Sequence, residues 1–175
     1  MKAYVDTCLV GANRAQNPAE DEALTALEEL NETRKLGIVW LGSNRTLNEI
    51  ELTRDPQKRE ALIEGARRLE RLEKDHRVIG GQYHGDQYGG GGWSPFVVDV
   101  PDEKIFDALR DLGLDPMDAR HLSVAIFNQC EVFLTRDVHS ILRHRSVIEA
   151  QFPGIKIMKA SELLKDLTKK PSSSQ

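Results

Sequence analysis

The sequence predicts an α/β fold with a mostly parallel central sheet, and three observations carry that prediction. Short apolar runs of strand length, AYVD at 3–6, IVWL at 38–41, EVFLT at 131–135 and IKIM at 155–158, alternate with longer stretches of helical character. Asp55-Pro56 and Asp115-Pro116 open two of the helical stretches with a cap residue and a first-turn proline, and Gly37 and Gly113 close two others. Strands joined through helices pair in parallel, with the helices covering the faces of the sheet.

Taken in order, AYVD is a buried first strand that ends in an acid, Asp6. Leu24, Leu27 and Leu30 at helical spacing give an amphipathic helix over 20–35. IVWL is the second strand, and Ser43 or Asn44 can cap the next helix, which holds Leu47, Glu49 and Ile50. The helix opened by Asp55-Pro56 is expected to run to about residue 74. Residues 76–95 hold seven of the thirteen glycines and no helical or strand period, which reads as a long flexible loop or a hairpin with a floppy tip. Helices over 101–112 and 116–128, the EVFLT strand, a helix over 138–149, the IKIM strand and a helix over 160–168 complete the expected order. The expectation is one domain over 1–168 with a Gly-rich insertion at 76–95, followed by a disordered tail, KKPSSSQ, at 169–175.

A net charge of −4 argues against a protein that coats nucleic acid through a broad basic surface. No apolar stretch approaches the roughly 20 residues that span a bilayer. The apolar run of MKAYVDTCLV is broken by Asp6, unlike a signal-peptide core, so a cytoplasmic location is expected. Cys8 and Cys130 make no disulfide framework and no zinc spacing, and read as two buried free thiols.

The acids carry the chemistry. In open α/β sheets the site lies beyond the carboxyl ends of the strands, and Asp6 and Asp137 sit at or just past two such ends. A carboxylate buried in an apolar strand without a partner costs on the order of several kcal/mol. Carboxylates gathered without matching cations repel one another unless a divalent metal is shared between them. Three of the acids also have a plainer reading, and Asp6 is the one harder to dismiss. Asp115 can cap the 116–128 helix with Asp118 complementing the helix dipole, Asp137 can cap the helix after it, and spacing does not decide whether Glu49 or Glu51 points inward. His121 lies near the helical face of Asp118 and reads as structural. Arg14, Arg45 and Arg136 could hold backbone phosphates or serve as salt-bridged surface residues. Tyr83, Tyr88 and Trp93 could stack on unpaired bases, or belong to a ligand-free surface excursion, and His84 with Asp86 could form an extra metal site.

In sequence order, DTCLV from Asp6, SNRTLNE from Ser43 to Glu49, DARHLSVA from Asp118 and FLTRD ending at Asp137 together resemble the PIN (PilT N-terminus) domain family. The resemblance covers residues 2–160. It implies a three-layer α/β/α fold and a metal-dependent ribonuclease centre, with Asp6, Glu49, Asp118 and Asp137 as ligands of Mg²⁺ or Mn²⁺. The family's spacing from Ser43 favours Glu49 over Glu51, and Thr7, Ser43 and Thr135 match its supporting polar positions. It further implies RNA as substrate, often a homodimer, and, if the chain is similar to the VapC-type toxins of toxin–antitoxin pairs, an antitoxin protein partner. The length and the glycine-rich insertion depart from those compact toxins. The alternative is a PIN-like module that binds RNA or protein without cutting. Haloacid-dehalogenase-like phosphatases want a second acid two residues after the first, where this chain has Cys8, and receivers want paired acids near the first strand, where none precedes Asp6.

Overall fold

The structure is a computed structural model that describes residues 1–10, 18–72, 77–85, 91–98 and 100–169, without the side chains of Arg45 and of 77–98. Its centre is a five-stranded, wholly parallel sheet. The strands are β1 (Lys2–Val5), β2 (Val39–Gly42), β3 (Glu70–Arg71), β6 (Val132–Leu134) and β7 (Lys156–Met158), in the order β3-β2-β1-β6-β7. β1 is central because it is apolar on both faces: Ala3, Tyr4 and Val5 are consecutive and all buried, as strands covered by helices on both sides require. Ala3 stands opposite Trp40 on one side and Val132 on the other.

Alternation along the strands divides the core into two layers. Tyr4 and Phe133 point to one face, where they pack with Leu109, Leu122, Ile148 and Ile157. Ala3, Val5, Val132 and Leu134 point to the other, with Leu27, Ile50, Leu62 and Leu163. The covering helices are α1 (Pro18–Arg34), α2 (Asn44–Glu51), α3 (Pro56–Ala66), α4 (Glu103–Asp111), α5 (Pro116–Phe127), α6 (Arg145–Gln151) and α7 (Ala160–Lys169). The α/β fold with a central parallel sheet is thus as expected.

The expected helix starts are present with their cap bonds. Asp55 accepts from the amides of Gln57 and Lys58 at 2.9 and 3.1 Å, and Asp115 from those of Met117 and Asp118 at 2.7 and 3.1 Å. Gly113 closes the turn after α4 with a φ of 87°, a region that favours glycine.

Two expectations need correction, and a third, left open, is decided. α3 ends at Ala66, not near 74, because the chain turns through Arg67–Leu69 and then joins the sheet as β3 beside Leu41 and Gly42. The helix expected over 138–149 is a turn, a short 3-10 segment (Leu142–His144) and then α6. In the glycine-rich segment the hairpin alternative is the one seen: β4 (Arg77–Gly85) pairs antiparallel with β5 (Gly91–Val98) in a separate two-stranded sheet. Tyr88 and Asp86 lie outside the described residues, as do the side chains of Tyr83, His84 and Trp93. α7 runs through Lys169, and the tail beyond it also lies outside them.

Candidate active site

The chain runs from β1 outward to β2 and β3, then returns to the opposite side of β1 as β6. That reversal opens a crevice at the carboxyl ends of β1 and β6, where ligands bind in open α/β sheets. A cavity of about 390 Å³ lies there, lined by Asp6, Thr7, Glu49, Asp118, Asp137 and, among others, Lys58 and Arg136. The four acids singled out in the sequence therefore meet in one place, although up to 131 positions separate them (Asp6 to Asp137).

Asp6 follows β1 directly, and its amide extends the ladder by donating to the Leu134 carbonyl at 3.0 Å. Its carboxylate is buried and accepts through Oδ2 from the Thr135 hydroxyl at 2.7 Å and from the Cys8 thiol at 3.0 Å. Thr135 Oγ1 in turn accepts from the Asp137 amide at 3.0 Å. Thr135 thus ties one acid of the set to the backbone of another. Cys8 is only partly buried, contrary to the expectation of two buried thiols; loss of solvent around the thiol, then the charge of Asp6, push its pKa well up, so it stays a thiol and donates. Cys130 is buried, as expected.

Asp118 is not the cap of α5. Asp115 fills that role, which leaves Asp118 in the first turn with its side chain on the cavity wall, where it accepts from the Ser140 hydroxyl. Burial pushes its pKa up to about 6; the Ser140 bond pulls the other way, and the charges of Asp115, Asp137 and Asp6 add to the rise. Asp137 keeps its plainer role as well, since Oδ1 accepts from the amides of His139 and Ser140 at 2.8 and 3.0 Å. It caps the turn after β6 while lining the cavity.

Glu49 is half-buried on the wall, whereas Glu51 is exposed. Glu49 Oε1 lies 2.8 Å from His121 Nε2. Burial raises the Glu49 pKa, but the hydrogen bond and charge of His121 and the Thr7 hydroxyl outweigh it and leave the carboxyl below its ordinary range. Ser43 does not reach the cavity acids. It stands at the N-cap of α2, makes no capping bond, and its hydroxyl pairs with Tyr4 at 2.7 Å. Arg136 lines the cavity, Arg14 lies outside the described residues, and the side chain of Arg45 is not described. Lys58, which sequence reasoning missed, lines the cavity from the first turn of α3. The one signal for it was the Asp55-Pro56 helix start, which fixes its place in that turn.

The donor chemistry is of the kind a hard divalent cation takes: four carboxylates line one cavity, and the charges of Asp6 and Asp137 reach Asp118. Among the described residues no three His, Cys, Asp or Glu side chains are gathered tightly enough to hold an ion by themselves.

No family model and no curated protein matches the sequence. Among solved structures, the chain is similar to VapBC2 from Rickettsia felis bound to a DNA fragment from its promoter, with a TM-score of 0.50 and 15% identity over 90% of this chain and 98% of that one. The fold is PIN-like. At this identity the likeness concerns the path of the backbone alone. Within the PIN-like fold, Asp6 and Asp137 follow strand ends, Asp118 stands in the first turn of α5 and Glu49 in the last turn of α2, and all four line the cavity. Among the described residues no helix is long and apolar enough to cross a membrane.

Proposed function

We propose that this protein is a Mg²⁺- or Mn²⁺-dependent endoribonuclease that hydrolyses phosphodiester bonds of single-stranded or looped RNA. One observation supports the reading above the rest. Asp6, Glu49, Asp118 and Asp137 line one cavity at the switch point of a parallel sheet, and burial with like charges drives the Asp118 carboxyl up to about 6. Arranged this way, the ionised Asp118 carboxylate costs the empty fold stability and gains when a cation is bound. The acids would hold the metal, with Asp6 kept in place by Thr135 and Cys8, and Lys58 and Arg136 at the cavity would take the phosphate. A bound divalent ion lowers the pKa of a water and neutralises charge on the phosphate.

The likeness to VapBC2 supports a further reading of the chain as the toxin of a toxin–antitoxin pair with an antitoxin protein partner. A small DNA-binding protein encoded beside this chain is the expected companion.

Asp6→Asn should lower RNA cleavage in Mn²⁺ by about a hundredfold or more while the variant stays folded. Cleavage equal to the parent's, with chelator controls clean, would sink the assignment. The competing reading is a silent PIN-like module that binds RNA or protein. It draws on the commitment of Glu49 to His121 and on the absence of a closed three-residue donor group among the described residues. Melting temperature against Mn²⁺ separates the two. The enzyme reading expects a clear rise that Asp6→Asn with Asp118→Asn abolishes, and the silent module expects none.

A further inference from the structure

His121 is 2% exposed, so both ring nitrogens need partners inside the protein, and both have them. Nε2 is 2.8 Å from Glu49 Oε1 and Nδ1 is 2.7 Å from the Tyr4 hydroxyl, which is itself 2.7 Å from the Ser43 hydroxyl. Donor chemistry orders the whole chain. An ionised Glu49 can only accept, so Nε2 carries a hydrogen. In the neutral ring Nδ1 is then the acceptor, the Tyr4 hydroxyl donates to it, and the Tyr4 oxygen accepts from Ser43.

Tyr4 itself has little freedom. It is fully buried on the central strand and stacks on Phe133 with ring centres 5.2 Å apart and planes 9° apart. The hydrogen-bonded chain therefore leaves α2 at Ser43, crosses β1 and α5, and returns to α2 at Glu49. It closes on one helix from both ends. A second observation points the same way: Ser43 occupies the N-cap of α2, where its hydroxyl would ordinarily bond a helix amide, yet it makes no such bond and turns to Tyr4.

We propose that His121 is a positioning residue that, backed by Tyr4 and Ser43, fixes the Glu49 carboxylate against the cavity wall through Oε1 and so sets the affinity of the site for its metal. The inference rests on the metal-dependent reading of the cavity. It goes beyond the acids themselves, because it makes a buried ring at the back of the cavity, with both nitrogens already hydrogen-bonded, a determinant of metal binding. A buried histidine that only packs would leave metal binding untouched.

The test is a Mn²⁺ titration of melting temperature on the full chain, starting from chelator, for the parent and for Glu49→Gln, His121→Phe, His121→Gln, Tyr4→Phe and the Glu49→Gln/His121→Phe double variant. His121→Phe should raise the Mn²⁺ concentration at half-effect by about 10- to 100-fold. Glu49→Gln should match it, and the double variant should add nothing, since both remove one unit. His121→Gln, which offers an amide N–H near the place of Nε2, should recover part of the loss, and Tyr4→Phe should show the smallest shift. If His121→Phe melts lower in chelator yet keeps the parent's Mn²⁺ midpoint, His121 is packing alone and the inference fails. An unshifted Glu49→Gln also overturns it. Should His121→Phe not fold, unchanged midpoints in both His121→Gln and Tyr4→Phe overturn it equally. A parent whose melting temperature ignores Mn²⁺ defeats the metal-dependent reading itself, which is a distinct result.

Discussion

The two walls of the cavity treat the same side chain in opposite ways. On the strand wall, Asp6 is buried with hydrogen bonds from Thr135 and Cys8, so its negative end is met by donors. On the helix wall, Asp118 has the Ser140 hydroxyl as its side-chain donor and faces the charges of Asp115, Asp137 and Asp6, and its pKa climbs to about 6. One wall is finished without a ligand and the other is not. The fold thus satisfies the buried acid at its core and leaves the half-buried one on α5 under pressure from its neighbours.

The comparison breaks most visibly at Thr135. Thr135→Val takes a donor from Asp6 and leaves the Asp137 amide without its acceptor, at a cost of about 1–3 kcal/mol. Urea melts in chelator measure it, and a loss below about 0.5 kcal/mol would mean the strand wall is not held by that hydroxyl.

On the helix wall the sign reverses. The Asp118 carboxyl has a folded-state pKa of about 6 against an ordinary 3.8, so between those values the folded protein binds more protons than the unfolded chain. The stability Asp118 permits is therefore whole below pH 3.8, falls as pH rises through that window, and stays reduced above about 6. Asp118→Asn removes the penalty. In chelator it should melt about 2–4 °C above the parent near pH 7.5 and level with it near pH 4. Equal melting at both pH values would show that the helix wall carries no unmet charge.

The smallest effect sharpens the same wall. Ser140 holds the Asp118 pKa down, so Ser140→Ala should move the carboxyl titration further upward, as NMR of the side chain would report. A downward shift would contradict the assigned donor.

Much of this was legible in the sequence, for reasons particular to each residue. Asp6 announced itself because an acid ending an apolar strand is costly without a partner. Asp115-Pro116 gave both the start of α5 and, by taking the cap, the freedom of Asp118. Glu49 and Glu51 lie on roughly opposite sides of a helix, at about 100° per residue, so one had to face outward. Which one depends on His121, 72 positions away, and no local spacing carries that information. β3 was invisible because Glu70 and Arg71 are exposed and join the sheet through backbone alone. The glycines of 77–98 left loop and hairpin both open by erasing the alternation that marks strands.

Parallel order has a consequence for the timing of assembly. β1 is made before β2 and β6, but its place between them is complete only when residue 134 exists, and Thr135 meets Asp6 across 129 positions. Contacts so distant along the chain form late. A growing chain carries Asp6 and Glu49 long before it has the other two acids. The cavity is complete only once residue 137 has joined the chain.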